Sequence, residues 1–304
     1  MRWTRMRGRA PALAAAAATL TAGSLAAAAP AAPTVQMAGA GSNERVRYGE
    51  RVAFSGRVPQ GRAGQSVRLE HAPRGEPWRS VDSTSTGSAG SYRFAVKVQR
   101  SGAYRAVVQG RGTSSVKRVT VVARLGGRAG RYVKQGAPVR VRGDLRPGLR
   151  GRRVALQLKS GGRWKTVDRA RTRRGGRFTA GFTPRKLGGF RLRMRFGGDA
   201  RNAAVSRTLR GRTFVLRPGH ASWYGPGLYG NRLGCGGRLR TGTVGVANKR
   251  LPCGTKVIFR YRGRTATLPV VDRGPYVGGR EWDLTAAAKR KLGFGSTGTV
   301  WTSK

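Results

Sequence analysis

Acidic side chains are scarce: 11 Asp and Glu face 62 Lys and Arg over 304 residues, leaving a formal charge of +51. So large an excess goes far beyond what solubility requires and matches the chain to surroundings rich in fixed negative charge. Nucleic acid, anionic lipid and the acidic polymers of a bacterial wall all qualify. Codon bias toward Arg and Ala accounts for part of the magnitude, since no single basic run stands out, but it does not remove the physical consequence. Cysteine is nearly absent. Cys235 and Cys253 are the only two, both in the last third, so a lipid-modified N-terminus has no attachment residue. Strongly apolar runs are missing as well. The uncharged stretch from Pro11 to Pro33 is mostly Ala, which is weakly hydrophobic, and Pro30 and Pro33 interrupt it, which argues against a membrane anchor.

What that stretch does offer is an export signal. Arg2, Arg5, Arg7 and Arg9 form a positive n-region ahead of a modestly apolar segment with overlapping Ala-x-Ala frames, so residues 1–33 read as a secretory signal peptide. Export places the mature chain outside the cytoplasm with no transmembrane helix after cleavage, and it removes nucleic acid as a specific partner. An oxidising compartment makes a Cys235–Cys253 disulfide the economical reading, which would contribute about 3 kcal/mol in the chain-entropy model.

The middle of the chain repeats itself at an offset of 86 to 87 residues. Gly49, Val52, Phe54 and Gly56 recur as Gly136, Val139, Val141 and Gly143. Trp78, Gly90, Tyr92 and Tyr104 recur as Trp164, Gly176, Phe178 and Phe190. This is a tandem duplication. Each copy alternates apolar and polar residues in short runs such as "RVAFSGRV" and "YRFAVKV", separated by Gly, Pro and Ser, which predicts antiparallel β-sandwiches. Their rhythm and size resemble bacterial immunoglobulin-like modules, over 34–124 and 125–217, with "RLGGRAGRYV" (124–133) as the linker. Trp78 and Trp164, at equivalent places, are expected mainly as inward-facing core aromatics, with sugar stacking the alternative. The modules carry a net +35 over residues 34–219 against +12 from 220 onward, so wall adhesion is expected to belong mainly to them.

From 218 to 304 the character changes. "HASWYGPGLYGNRLGCGG" is dense in Gly and aromatics, and strand-like "TKVIFRYRG" and "TATLPVV" follow. One helix is predicted, with Thr285 capping "AAAKRKL" and Gly293 as its stop. Asp272 ends an apolar run and precedes Arg-Gly-Pro, so it sits where a strand breaks into a turn. Partial burial is expected to raise its pKa and Arg273 to lower it, while Asp283, just ahead of the helix, is expected to be held ionised by the helix dipole. Two carboxyl groups pushed apart in this way suit general acid catalysis. The same two residues also suit plain turn-making and helix-capping. Glu281 reads as a solvated charge facing Arg280 or another basic neighbour.

"ASWYGPGLYGN", "LPCGTKV", "VVDRGPYVGGREWDL" and "KRKLGFGSTG" together resemble the rare-lipoprotein-A-like (RlpA-like) double-psi β-barrel family, related to the barrels of expansins and of some lytic transglycosylases. The resemblance covers about residues 220 to 302. It implies a six-stranded barrel with one short helix and a glycan groove, placed after the two sandwiches in a mainly β, exported, wall-associated protein. It also implies peptidoglycan glycan strands as partner; the cationic surface adds anionic wall polymers as a second partner, and a sugar's own 6-hydroxyl acting as nucleophile calls for no metal or cofactor. Enzymatic members leave a 1,6-anhydromuramyl end. By position, Asp272 matches the family's Asp-Arg-Gly-Pro acid and Asp283 the Asp before the helix. Trp223, Tyr224, Tyr229, Tyr276 and Trp282 are candidates to stack on sugar, Tyr276 foremost, although each is also suited to packing the barrel wall.

The departures are specific. Where members carry a His ahead of Leu-Pro, this chain reads "GVANKRLPCGT" and has Asn248, which can hydrogen-bond substrate but cannot shuttle a proton near neutral pH. Gly237 and Arg240 stand where enzymatic relatives carry upstream acids. The lipid-bearing cysteine and the C-terminal glycan-binding repeat of typical members are absent. Two readings therefore stand: a transglycosylase working through Asp272 and Asp283, and a non-catalytic, expansin-like wall binder. A third, an exported polyanion binder without a groove, requires the barrel motif to be fortuitous.

Overall fold

A computed structural model describes residues 35–38 and 43–304. The segment read as a signal peptide lies outside the described residues. Among them no helix is long and apolar enough to cross a membrane. Strands dominate, and three buried apolar clusters, within 35–121, 123–209 and 221–300, form separate cores.

In the first unit, Gln36–Ala38, Arg51–Arg57 and Ser91–Lys97 pair in one sheet. Asn43–Arg47, Lys117–Val122, Gly102–Val108, Ser66–Pro73 and Arg79–Ser85 run in that order through another. Alternation decides which faces meet: Val52 and Phe54 on one sheet and Val67 and Leu69 on the other are buried, and Phe54 stacks on Tyr104 at 4.9 Å between them. The second unit repeats the arrangement down to single contacts. Gly56 lies opposite Tyr92 in the first and Gly143 opposite Phe178 in the second. A Cβ on either glycine would come within 2.5 Å of a carbon of that ring, so the small residue is required by the aromatic beside it.

Two expectations fail here. Trp78 and Trp164 are not core residues: each is half-exposed, with an arginine laid over its ring, Arg105 at 4.2 Å and Arg193 at 4.4 Å from the centroid. The inward positions are filled by Val67 and Leu69, and by Val154 and Leu156, while each arginine is fixed from its Nε by Glu70 or Gln157 at 2.9 Å. Nor is 124–133 a linker. Arg124–Ala129 is a strand paired antiparallel with Val139–Arg146. Its glycines are there because neighbours crowd the backbone, a Cβ on Gly127 lying 2.7 Å from the Met194 sulfur. The two units meet through Ala203 N to Val121 O at 2.8 Å and Asn202 Nδ2 to Gln99 O at 3.0 Å.

The C-terminal strands are β1 (Thr213–Tyr224), β2 (Val246–Ala247), β3 (Lys256–Tyr261), β4 (Arg264–Asp272), β5 (Trp282–Thr285) and β6 (Gly298–Thr302). β1 pairs parallel with β5, β5 antiparallel with β2, and β2 parallel with β4. β4, β3 and β6 follow antiparallel, and β6 returns to β1. Pairing thus closes on itself around Phe259, Leu268, Trp282, Leu284 and Val300. The first half of β1 also pairs with Tyr132–Lys134 and Gly188–Phe190, so this strand crosses residue 217 without a break. The helix α1 (Ala286–Leu292) follows β5 as expected from sequence. Thr285 accepts from Ala288 N, and Gly293 ends the helix at φ 65°, a conformation a Cβ would disfavour.

Candidate active site

The sheet register brings the two acids together. Ala247 of β2 is paired on one side with Asp272, the last residue of β4, and on the other with Asp283 of β5. Both carboxyl groups therefore stand at one level of the ring, two strand intervals apart, about 10 Å between Cα atoms. Neighbouring β1 supplies Ser222, in register with Asp283, and Tyr224 two residues on.

Asp283 is half-buried, and Ser222 Oγ donates to its Oδ1 at 2.7 Å. Burial is the chief influence on its carboxyl and raises its pKa; the Ser222 bond and the Arg280 charge pull down against it, and Asp272 adds to the rise. This reverses the sequence expectation. Asp283 lies inside β5, two residues short of Thr285, and it is Thr285 that caps the helix by accepting from Ala288 N. The Tyr224 hydroxyl is buried nearby without a partner in hydrogen-bond geometry. Burial first, then the adjoining Asp272 carboxylate and more weakly Asp283, push this phenol well above its ordinary range. One hydroxyl thus senses both acids.

Asp272 is oriented by backbone. Its Oδ1 accepts from Gly234 N at 2.7 Å and Arg273 N at 2.8 Å. A Cβ on Gly234 would lie 2.7 Å from Arg273 Cγ, so this close approach requires glycine. The Arg273 guanidinium turns away from the acid it was expected to stabilise, donating instead to Asn248 O at 3.1 Å and Leu251 O at 2.9 Å. Asn248, expected to bind substrate, is 6% exposed and bonded within the fold: Oδ1 accepts from Arg250 N and Leu251 N of its own loop, and Nδ2 donates to Glu281 O ahead of β5. Glu281 pairs with Arg217. Sequence reasoning missed Ser222 and the Gly234 amide, because both reach the acids through non-local pairing that leaves no periodic signal.

Cys235 and Cys253 form a disulfide with Cα atoms 5.5 Å apart. Cys235 N also donates to Val271 O at 3.2 Å, so the bridge pins the segment that carries Gly234 against the end of β4. Replacing both cysteines by Ser should lower the stability of the C-terminal unit by about 3 kcal/mol. Wild-type protein in reductant should match the double variant in a thermal melt; equal melting with and without reductant would remove the bridge from this account.

The expected sugar-stacking residues separate into different environments. Tyr276 is 80% exposed on the loop between the acids, with Val277 beside it, and Tyr229 is 39% exposed next to Leu228. Trp223 is half-buried with Lys289 Nζ 3.5 Å from its ring centroid, and Tyr224 is half-buried with its hydroxyl turned in, away from solvent. Trp282 has no exposure and packs edge-on against Phe259 at 4.9 Å, so it is a core residue and cannot reach a sugar.

Residues 217–302 match a family described as "Lytic transglycolase". The same region is 41% identical over 85 residues to "Probable endolytic peptidoglycan transglycosylase RlpA" of Synechocystis sp., covering 27% of this chain and 26% of that protein. A protein of the same description from Aquifex aeolicus is 40% identical over 84 residues, 27% of this chain and 37% of its own. "Endolytic peptidoglycan transglycosylase RlpA" of Neisseria meningitidis is 37% identical over 84 residues, 27% and 35% respectively. The chain spans between about a quarter and two fifths of the length of the curated relatives it matches.

Proposed function

We propose, from the premise that residues 217–302 form an RlpA-like double-psi β-barrel, that this domain cleaves peptidoglycan glycan strands as a lytic transglycosylase. The observation that carries the reading is the placement of Asp272 and Asp283 on either side of Ala247, with one buried phenol beside them. Asp283, whose proton is held more tightly than an ordinary carboxylic acid's, donates it to the leaving glycosidic oxygen as the C1–O bond breaks. The sugar's own 6-hydroxyl then bonds to C1, and its proton passes to Asp272, whose orientation two amides fix. The products are a free 4-hydroxyl and a 1,6-anhydromuramyl end. Asp283 has lost one proton and Asp272 gained one, and the Tyr224 hydroxyl next to both offers a path for the return. Tyr276 and Tyr229, exposed at the rim, stack on sugar faces.

On this reading the six paired strands are the family's barrel, and the two N-terminal units are immunoglobulin-like modules whose +35 adheres to anionic wall polymer after export. With neither a carboxyl nor an imidazole at Asn248, Gly237 and Arg240, the chemistry falls to the Asp pair alone. The test is to incubate the full chain and its Asp272→Asn variant with purified peptidoglycan and identify soluble products by mass spectrometry. Anhydromuropeptides from the wild type only are expected. Retention on the wall without any product would reject cleavage and leave the expansin-like reading standing.

A further inference from the structure

The Cys235–Cys253 bridge stands outside the strands that close the C-terminal ring, with Cys235 between β1 and β2 and Cys253 between β2 and β3. The ring's pairing does not run through it. The bridge is also within reach of solvent, since Cys253 is exposed and Cys235 only half-buried. What it governs is local, because each cysteine is tied to the same carboxyl oxygen by a separate route. On one side Gly234 N, next to Cys235 in the chain, donates to Asp272 Oδ1 at 2.7 Å. On the other, Arg273 Nη2 lies 2.9 Å from Cys253 Sγ, and the backbone N of the same arginine donates to Asp272 Oδ1 at 2.8 Å. Two hydrogen bonds join residues 230–239 to the end of β4, from Gly234 N and from Cys235 N to Val271 O, and both lie at the cysteine. Others, such as Leu233 N to Gly237 O and Leu239 N to Asn231 O, are internal to the segment. The covalent link is thus the strongest tie between the Gly234 amide and the acid.

We infer that this bridge is a thiol–disulfide exchange site that controls the orientation of Asp272: a dithiol reductant opens it, and the acid loses its fixed donors while the ring of strands persists. In the exchange a thiolate of the dithiol bonds to the Cys235 sulfur, the S–S bond breaks, and its electron pair leaves on Cys253. The Arg273 guanidinium beside Cys253 Sγ favours that sulfur as the leaving thiolate. The second thiol of the reductant then bonds to the first and frees Cys235. The dithiol ends as a cyclic disulfide, and its two electrons and two protons pass to Cys235 and Cys253. The consequence for cleavage rests on the transglycosylase reading, in which Asp272 takes the proton of the 6-hydroxyl. The coupling between bridge and carboxylate does not.

The probe is dithiothreitol, added to the isotope-labelled full chain until both cysteines react with a thiol reagent. The reporter is the side-chain carboxyl carbon resonance of Asp272, a residue not adjacent to either cysteine, and the amides of Phe259 and Leu268 report the core. Reduction is expected to shift the Asp272 resonance reversibly and to leave Phe259 and Leu268 in place. Release of anhydromuropeptides should fall at least about 10-fold, since a reacting group displaced by about 1 Å loses about 100-fold in rate. The Cys235→Ser, Cys253→Ser double variant should show the reduced spectrum and the low rate with or without dithiothreitol, which separates the bridge from any other action of the reductant. An Asp272 resonance that stays put after full reduction, core amides that move with it, or a reduced chain that cleaves at the oxidised rate would each overturn the inference. Cleavage itself is read separately: a chain inert toward peptidoglycan in both redox states, with Asp272 still responding to reduction, would sink the transglycosylase reading and leave the exchange site standing.

Discussion

Asp283→Asn should fold, bind peptidoglycan and release anhydromuropeptides at least about 100-fold more slowly than wild type, the lower end of what a positioned general acid contributes. The side chain keeps its shape and can still accept from Ser222 Oγ, so the lost rate reports the proton and not the packing. Stability should move the other way. Because the Asp283 pKa is raised in the folded chain, the native state holds a proton that the unfolded state has released, over the window between the ordinary carboxylate value and the raised one. Stability therefore falls as pH rises through that window, and above it the fold carries a partly desolvated charge. Asparagine removes that burden. At neutral pH the variant should melt at or above the wild-type temperature, and below the ordinary carboxylate range the two should coincide. A variant less stable than wild type at neutral pH would mean that Asp283 serves the fold as an ionised group, and its role as acid would fall. The wild-type rate should also decline on the alkaline side as Asp283 ionises, a limb that the residual rate of the asparagine variant lacks.

What could be read from the sequence was local. The helix cap at Thr285, the stop at Gly293, the strand end at Asp272 and the duplicated spacing from Gly49 to Phe190 all depend on residues near one another in the chain, and each has a side-chain signature. Parallel pairing has none. That β1 lies beside β5, placing Ser222 against Asp283, follows from closing the sheet over some sixty intervening residues, and no periodicity in "HASWY" announces it. The same non-locality reversed the expectation for Asp283. Proximity to the helix in sequence suggested the dipole, while its place within a buried strand made desolvation the larger effect. Asn248 misled differently. Read as a weakened catalytic position, it had a structural duty that only the folded loop displays, namely mating the amides of Arg250 and Leu251.

Aromatic residues in "PYVGGREWDL" show the ambiguity most clearly, since Tyr276 and Trp282 both lie near the acids and both suit sugar stacking. Strand alternation separates them: Asp283 is part-exposed, while its neighbours Trp282 and Leu284 are buried in the core. Trp282→Ala should accordingly cost about 3–5 kcal/mol for the lost burial and the cavity left against Phe259. An opposing effect is smaller. The indole carries an unmated buried N–H, and removing it returns about 1–3 kcal/mol, so the net loss centres on about 2 kcal/mol. With about 4–8 °C per kcal/mol for a domain of this size, the transition of the C-terminal unit should fall by about 8–16 °C. Tyr276→Ala, at a side chain 80% exposed, should melt with the wild type and instead weaken glycan binding by about 0.5–1.5 kcal/mol. Calorimetry and a peptidoglycan pull-down on the two variants separate these roles. If Trp282→Ala lost affinity at unchanged melting temperature, the indole would be facing sugar, and the inward side of β5 would have been assigned to the wrong residues.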